Sequence, residues 1–421
     1  MDAKLIVDEV RLTPILISDP PLLNTQGVHQ PYTPRLVVEV VTRGGVSGLG
    51  ETYGDAVYLD LARRLAEELP GRSVTDVNGL FALAAETGSV PHPDTDEGVD
   101  ASGLRGVRTA EKLRLSVVSA FETACLDALG KTLGLPVHAL LGGKVRDEVE
   151  YSAYLFYKWA GTDEWGPALD PAGIVAQARR FDREYGFRSF KLKGGVFEPE
   201  QEIAAVRALA REFPCRPLRL DPNGAWSVET SLAVARELED VLEYLEDPAR
   251  GTAEMAAVAA GTDVPLATNM CVTTFEEVPE AFAEGAVRIV LCDHHYWGGL
   301  HRTRELAALC RTYGVGLSMH SNTHLGISLA AMTQVAATLP GLHHACDTHY
   351  PWQTEDVVTT RPVFREGRLA VSDAPGLGVH LDRGALAGLH DRWLKDDGTY
   401  RNRDDTAAMR TVTPTWTPPR W

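Results

Sequence analysis

Short apolar runs that each end in a polar side chain recur roughly every 25 residues between positions 190 and 350. Alanine-rich stretches of helical period, such as 201–213 and 231–240, separate these runs. The alternation of buried strand, polar end and helix predicts a parallel (β/α) barrel. In such a barrel the carboxyl ends of the strands share one face, so the polar ends are expected to converge on one pocket. The residues at these ends are Lys191, Lys193, Asp221, Glu246, Asn269, Asp293, His320 and His349.

The rest of the chain predicts a second unit over the mouth of the barrel. We expect an α+β capping domain at 1–135, the barrel at 136–364, and a tail at 365–421 that packs with the cap. The segment 86–108 is rich in Gly, Pro, Asp and Ser, which predicts a long loop. The elements expected outside the repeat are strands at 4–12, 35–42 and 149–156 and helices at 58–69 and 110–134. The strand at 149–156 completes the eight that close a barrel.

Composition and charge exclude several classes of partner. The formal net charge of −17 disfavours nucleic acid and anionic membranes. The six cysteines form no Cys-x-x-Cys pair, which argues against a disulfide framework and a thiolate zinc site. No run of about 18 apolar residues occurs and the first residues start no secretory signal, so a cytoplasmic protein is expected. An anionic substrate would need local positive charge from a metal ion, lysines or histidines in the pocket.

Three successive strand ends carry oxygen ligands. Asp221, Glu246 and Asn269 offer two carboxylates and an amide carbonyl, and such hard donors suit Mg²⁺ rather than zinc. The alternative is that each residue caps the helix that follows its strand. Because the three ends are consecutive and follow a Lys-x-Lys pair, we interpret them as a metal site.

Two further pairs of residues can move protons. Strand alternation places Lys191 and Lys193 on one face, and two crowded ammonium groups beside a metal are expected to lower each other's pKa. The alternative for this pair is two surface lysines. Asp293 and His320 end adjacent strands, where a carboxylate orients an imidazole and stabilises its cation. A metal between two bases predicts proton abstraction next to a carboxylate, with the enediolate held on the metal.

Other hydrolytic sites are disfavoured. His320 and His324 are four residues apart, as in some helical zinc sites, but no glutamate lies between them at the general-base position. The Gly-Gly pairs at 142, 194 and 298 lack the rest of a phosphate-binding loop or a nucleophile elbow.

Five segments carry a family resemblance: FKLKGGV at 190–196, LDPNGAW at 220–226, ATNM at 267–270, HSNTH at 320–324 and DTHYPWQ at 347–353. They resemble the enolase superfamily, and within it the glucarate dehydratase subgroup, over most of the chain. The fold implied is a modified (β/α) barrel under an α+β cap that the C-terminal tail completes. Mg²⁺ is the implied cofactor, and barrels with such caps are often oligomers, so a homo-oligomer is expected.

The resemblance also implies individual roles. Lys193 would be one base, and His320, paired with Asp293, the other base and the acid for the departing hydroxide. Lys191 would bind the substrate carboxylate and stabilise the enediolate. The remaining residues that match substrate-contacting positions are Asn24, His29, Thr109, Tyr154, Asn223, Ser321, Asn322, His349 and Arg403. Of these, Arg403 would pair with a distal carboxylate, which favours a dicarboxylate acid sugar over a monoacid.

One segment departs from the subgroup. Its members carry a metal-binding glutamate a few residues beyond the Glu-Asp-Pro motif, in a segment that is shorter here. Glu246 is therefore the expected ligand, and Glu254 is the alternative. The expected activity is dehydration of D-glucarate to 5-dehydro-4-deoxy-D-glucarate. The alternatives are dehydration of another aldarate or acid sugar, racemisation or epimerisation of a related diacid, and a weakly catalytic relative that binds a sugar acid.

Overall fold

The computed structural model of the protein describes residues 2–87 and 110–421. The loop predicted at 86–108 falls almost wholly outside these residues, and Thr109 lies outside them too. Within the described ranges, no helix combines the length and apolar character needed to span a bilayer.

The N-terminal part of the chain is an antiparallel sheet covered by helices. Its strands and those of a neighbouring hairpin are β1 (Val7–Ser18), β2 (Leu23–Asn24), β3 (Gly27–Val28), β4 (Tyr32–Thr42) and β5 (Ser47–Tyr53). The sheet has the strand order β1-β4-β5, and β2 and β3 form a short separate hairpin between β1 and β4 in the sequence. The helices that follow are α1 (Ala56–Glu68), α2 (Val77–Glu86) and α3 (Ala110–Leu133). The predicted strand at 4–12 begins later, at Val7, and continues to Ser18.

Helix α3 lies directly on the backbone of β5. A Cβ atom at Gly48 would stand 2.0 Å from the carbonyl oxygen of Ala124, and one at Gly50 would stand 1.9 Å from that of Ala120. Both distances are far inside van der Waals contact, so only glycine permits this approach. The α3 residues on this face are small and fully buried.

Eight parallel strands form a nearly closed barrel, as the sequence predicts. Its strands are β6 (Glu148–Phe156), β7 (Phe190–Lys193), β8 (Leu218–Asp221), β9 (Leu242–Glu246), β10 (Leu266–Thr268), β11 (Ile289–Cys292), β12 (Gly316–Met319) and β13 (Cys346–Thr348). They pair in chain order, and β13 pairs with β6. Between β12 and β13 the sheet is bridged by Leu317 and Leu342 and by the hydroxyl of Ser318, which donates to the Ala345 carbonyl at 2.9 Å.

Helices connect the barrel strands. They are preceded by the short α4 (Val137–Leu140) and comprise α5 (Pro171–Tyr185), α6 (Pro199–Glu212), α7 (Val228–Leu238), α8 (Gly251–Ala259), α9 (Val278–Ala283), α10 (Leu300–Tyr313) and α11 (Gly326–Ala336). Capping side chains begin some of them: Asp170 accepts from the backbone N–H of Gly173 in α5, and Ser227 from that of Thr230 in α7.

The strand register stacks polar side chains in the barrel. Tyr154 on β6 is the partner of Lys191 on β7, and Lys191 is in turn the partner of Arg219 on β8. Two residues further along the same strands, Lys193 pairs in register with Asp221. All five side chains are buried, and Lys193 and Asp221 are the last residues of their strands. Buried polar and charged side chains therefore concentrate toward the carboxyl ends of the strands.

The C-terminal tail contacts both halves of the molecule. Its elements are β14 (Arg368–Ala370), α12 (Arg383–Lys395) and α13 (Asp405–Val412). Strand β14 pairs antiparallel with β6, α12 packs on β1, and α13 packs on β3. The tail thus fastens the N-terminal sheet to the barrel.

Candidate active site

A cluster of lysines and carboxylates occupies the carboxyl ends of β7, β8 and β9. The ammonium group of Lys191 donates to the Glu246 carboxylate and, at 2.6 Å, to that of Asp347. The ammonium group of Lys193 donates to Asp221 at 2.5 Å. These five side chains are almost completely buried, so each charge depends on its neighbours rather than on water.

The next strand end joins the same cluster. The side-chain amide of Asn269 donates to Glu246 at 3.0 Å, and its backbone N–H donates to Asp247 at 2.9 Å. Asp247 has a φ of 39°, in the left-handed region that costs a non-glycine residue energy. The three residues predicted to hold a metal, Asp221, Glu246 and Asn269, are therefore brought together.

The cluster has more carboxylates than cations. Burial and then the neighbouring Asp221 carboxylate raise the pKa of Glu246 well above its usual value, and the same two causes raise the pKa of Asp247 to about 7. A bound divalent cation would compensate this negative charge. Oxygen donors suit Mg²⁺, so the residues present fit that ion.

Glu254, the alternative metal ligand, lies away from this cluster. It is on α8, its side chain is 38% exposed, and it pairs with Arg420 at 3.3 Å. The shortened segment thus leaves Glu246 as the glutamate beside Asp221 and Asn269.

The expected lowering of lysine pKa is wrong for Lys191. Burial lowers the pKa of Lys191, but the carboxylates of Asp347, Glu246 and Asp221 outweigh burial and raise it above the usual value. The neighbour that sequence reasoning missed is Asp347, which also accepts from the Tyr154 hydroxyl at 2.9 Å. Its position in β13, inside the same strand-end pattern, is the signal that could have identified it.

Asp293 and His320 form a buried pair at the ends of β11 and β12. The Nδ1 atom of His320 lies 3.0 Å from Oδ2 of Asp293, and the ring stacks on Tyr296 with 5.8 Å between centroids. Burial lowers the pKa of His320, and the nearby ammonium of Lys193 lowers it further, while Asp293 opposes both. The net lowering favours a neutral imidazole, which is the form that accepts a proton.

A second buried polar cluster lies where the cap, the barrel and the tail meet. Nδ1 of His29 lies 3.2 Å from both carboxylate oxygens of Asp19. The guanidinium of Arg403 donates to Asp19 at 3.3 Å and to Asp405 at 3.0 Å, and the amide of Asn24 donates to Asp405 at 2.8 Å. Two carboxylates thus balance the charge of Arg403, and the distal substrate carboxylate expected to pair with it would compete with them.

His349 connects this cluster to the barrel. Its ring stacks against His29 with 6.2 Å between centroids, and burial, followed by the charges of His29 and Arg403, lowers its pKa to about 3 against the opposing effect of Asp19. Within 2–87 and 110–421, the Nε2 atoms of His29 and His349 have no hydrogen-bond partner. Such buried, unpaired nitrogen atoms are available to a ligand.

The remaining predicted contacts also lie at strand ends, where Ser321 and Asn322 are buried and Asn223 is partly buried. Asn223 follows Asp221 with a φ of 50°, and its Oδ1 has no partner among the described residues. The Ser321 hydroxyl donates to the carbonyl of Asn322 at 3.0 Å, and the Asn322 side chain accepts from the N–H of Thr323 at 2.9 Å. These contacts fix the loop after β12 beside His320.

Comparisons with known proteins agree with this architecture. A family model described as mandelate racemase / muconate lactonizing enzyme, N-terminal domain, matches residues 9–142, and one described as enolase C-terminal domain-like matches 173–385. A Streptomyces coelicolor protein named probable glucarate dehydratase is 71% identical over the full length of both chains. An L-talarate/galactarate dehydratase of Salmonella typhimurium is 27% identical over 83% of this chain and 81% of its own.

Solved structures also match over nearly the full length of the chain. A Thermobispora bispora enolase complexed with magnesium and formate has 53% identity and a TM-score of 0.94, covering 99% of both chains. A Pseudomonas fluorescens enolase with bound magnesium, potassium and tartrate has 45% identity and the same TM-score and coverage.

Proposed function

The chain belongs to the enolase superfamily, and we propose that it is a magnesium-dependent dehydratase of acid sugars whose substrate is D-glucarate. The observation that carries this proposal is the cluster at the strand ends, where Lys193 and the His320–Asp293 pair accompany the oxygen ligands of one predicted metal site. The 71% identity to a protein named probable glucarate dehydratase supports the choice of substrate.

Asp221, Glu246 and Asn269 would hold the metal ion. When bound there, Mg²⁺ supplies Lewis-acid stabilisation of the negative charge that develops on a substrate carboxylate. Lys191, which the carboxylates keep protonated, would bind the same carboxylate. Loss of activity after thorough chelation, restored by added Mg²⁺, is the expected result.

His320 and Lys193 would move the protons. One of them takes the proton from the carbon next to the carboxylate, and the electron pair of the broken C–H bond moves into the enediolate. The enediolate then expels the neighbouring hydroxyl group, which leaves as water when His320 donates to it the proton that it has taken from the carbon or, where Lys193 is the base, from solvent. The enol that remains tautomerises to 5-dehydro-4-deoxy-D-glucarate.

The polar cluster formed by Asp19, Asn24, His29, His349 and Arg403 would receive the far end of the substrate. Its unpaired Nε2 atoms are hydrogen-bonding groups for hydroxyl or carboxylate oxygens. A dicarboxylate sugar offers a second carboxylate to this cluster, whereas a monoacid sugar of the same length offers only a hydroxyl group there.

Racemisation or epimerisation of a related diacid is the second candidate, because two bases suffice for it. The two reactions differ in whether water is lost. In D₂O, a dehydratase forms an α-keto acid, whereas an epimerase places deuterium in unreacted substrate without that product.

The substrate is tested by incubating the purified protein and Mg²⁺ with a panel of aldarates and monoacid sugars. We expect kcat/KM for D-glucarate to exceed that for every monoacid sugar. A higher kcat/KM for another aldarate would show that this aldarate, and not D-glucarate, is the substrate. Binding of acid sugars without turnover of any of them would support the weakly catalytic alternative.

A further inference from the structure

A second histidine lies behind the His320–Asp293 pair and connects it to the N-terminal sheet. Oδ1 of Asp293 receives the backbone N–H of His295 and faces its Nδ1 atom, both at 2.9 Å, while Oδ2 faces His320. The Nε2 atom of His295 lies 3.0 Å from the carbonyl oxygen of Glu51 on β5 and 3.1 Å from the Ser328 hydroxyl. His295 and Asp293 are completely buried.

Each ring nitrogen of His295 faces an oxygen atom that can only accept: Nδ1 faces the Asp293 carboxylate and Nε2 faces the Glu51 carbonyl. The Ser328 hydroxyl beside Nε2 can donate or accept. A carboxylate and a backbone carbonyl have no proton to give, and a neutral imidazole has a proton on only one nitrogen. A neutral ring would therefore set a lone pair against either Asp293 or Glu51. The doubly protonated ring satisfies both contacts, and the Ser328 hydroxyl can then donate to the same Glu51 carbonyl at 3.4 Å.

The Glu51 carbonyl is held firmly in place. The Glu51 carboxylate accepts from Arg35 at 2.5 Å and from the backbone N–H groups of Leu325 and Ser328, both at 2.9 Å. These bonds tie β4 and β5 to the start of α11. The acceptor for His295 therefore belongs to a rigid junction between the cap and the barrel.

The structure assigns His295 as a positioning residue: we propose that it is an imidazolium that bridges Asp293 to the Glu51 carbonyl, and so fixes and partly neutralises the carboxylate that holds His320. The neighbouring histidines do not share this role. Burial, followed by the charge of His295, lowers the pKa of His294 and of His324 well below the usual value. Burial raises the pKa of Asp293, but His295, together with His320 and His324, outweighs burial, and the Asp293 pKa is lowered well below its usual range.

The groups packed around His295 include aromatic rings and a cation. His294 and His324 pack on its ring with centroids 4.1 Å and 4.8 Å away, and Tyr53 packs at 5.6 Å. The cation is Arg35, which the Glu51 carboxylate pairs. On the far side of Asp293, the charged groups that act on His320 are Lys191 and Lys193.

A metal ion is a weaker explanation for the same residues. Asp293, His294, His295 and His324 have ligand atoms within 4.8 Å of one another. However, both oxygens of Asp293 and both nitrogens of His295 are already hydrogen-bonded. A metal held by Asp293 and His295 would have to replace the hydrogen bonds of the His295 ring.

The inference rests on the proposed function, because His320 is treated as a base, and so one readout is independent of turnover. In protein labelled with ¹⁵N only in its 13 histidines, the signals lost in His295→Asn identify the His295 ring. We expect both of its nitrogens to be protonated at neutral pH, in the wild type and in Ser328→Ala. A ring with one unprotonated nitrogen would overturn the proposal, whether or not any acid sugar reacts.

The second readout is the pH profile. His295→Asn keeps an amide that can donate to Asp293 but removes the charge, so the acid limb of kcat/KM for D-glucarate should move to higher pH. On that limb the variant loses about tenfold in activity for each pH unit of displacement. The matched control His294→Asn should leave the limb in place. An equal loss at every pH in His295→Asn would indicate a merely structural role and contradict the proposal.

Discussion

Lys193 and His320 differ from ordinary buried residues because each is paired with a carboxylate at the end of a barrel strand. If they are the two bases, Lys193→Ala and His320→Asn should each lower kcat for acid-sugar dehydration at least about a hundredfold. The secondary structure should be retained, as measured by circular dichroism. The exposed residues Lys395 and His343 offer the matched controls Lys395→Ala and His343→Asn. Wild-type turnover in either active-site variant would contradict the assignment.

The pH profile tests the environment of His320 separately. Burial lowers the pKa of His320 from 6.5, and Asp293 compensates only partly. A base must be unprotonated to act, so activity should persist as the pH falls through 6.5 and decline only below it. The measurement is kcat/KM for D-glucarate as a function of pH. An acid limb centred above pH 6.5 would show that the site does not lower the pKa of this histidine.

Which residues converge at the strand ends could be predicted from the sequence, including the Asp293–His320 pair, but partners that lie far apart in the chain could not. The strand-end pattern selects Asp221, Glu246 and Asn269 because residues at parallel strand ends share one face. Asn24, in contrast, bonds to Asp405, which is 381 positions away in the chain. No periodicity relates such a pair, and for the same reason the contact between Arg403 and Asp19, which are 384 positions apart, could not be predicted.

Helix α10 begins at a carboxylate supplied by another part of the fold. Glu122 in the middle of α3 accepts from the backbone N–H groups of Leu300 at 2.8 Å and His301 at 3.0 Å. It is completely buried and approaches Gly299, where a Cβ atom would stand 2.4 Å from it. Glu122 thus caps the helix and joins the N-terminal helices to the barrel.

Glu122→Ala should lower the free energy of unfolding by about 2 kcal/mol, because it leaves the first N–H groups of α10 without an acceptor. Denaturant unfolding measures this change. The control is Glu305→Ala, which removes an exposed carboxylate from α10 itself and should have little effect. Equal stability of the two variants would show that the cap contributes nothing measurable.

The barrel strands could be predicted, whereas the connections outside the repeat were partly missed. The barrel strands recur at regular spacing with polar ends, and this repeat specifies even the three-residue β10 and β13. The two-residue strands β2 and β3 and the three-residue β14 are too short to give a periodic signal, and β14 exists because β6 offers it a partner.

At the scale of the whole molecule, Arg403 connects the N-terminal part of the chain to the C-terminal tail. This guanidinium joins Asp19, from the N-terminal part, to Asp405, from the tail, in a region where all three side chains are almost fully buried. In a chain with a net charge of −17, Arg403 thus compensates two carboxylates that are buried close together.

Arg403→Ala should lower the free energy of unfolding by about 3 kcal/mol, because it leaves two buried carboxylates without their cation. Denaturant unfolding measures the loss. The nearby Arg401→Ala should change stability much less, since Arg401 is 37% exposed. A loss in Arg403→Ala no greater than in this control would show that Arg403 does not fasten the tail.

Magnesium-dependent dehydration of D-glucarate is tested most directly by incubating the purified protein with D-glucarate and Mg²⁺ and following the α-keto acid through semicarbazide absorbance. We expect 5-dehydro-4-deoxy-D-glucarate to form at a kcat above roughly 1 s⁻¹. Chelation should abolish this activity, and added Mg²⁺ should restore it. No product from D-glucarate with Mg²⁺ present, or undiminished product after thorough chelation, would contradict the proposed function.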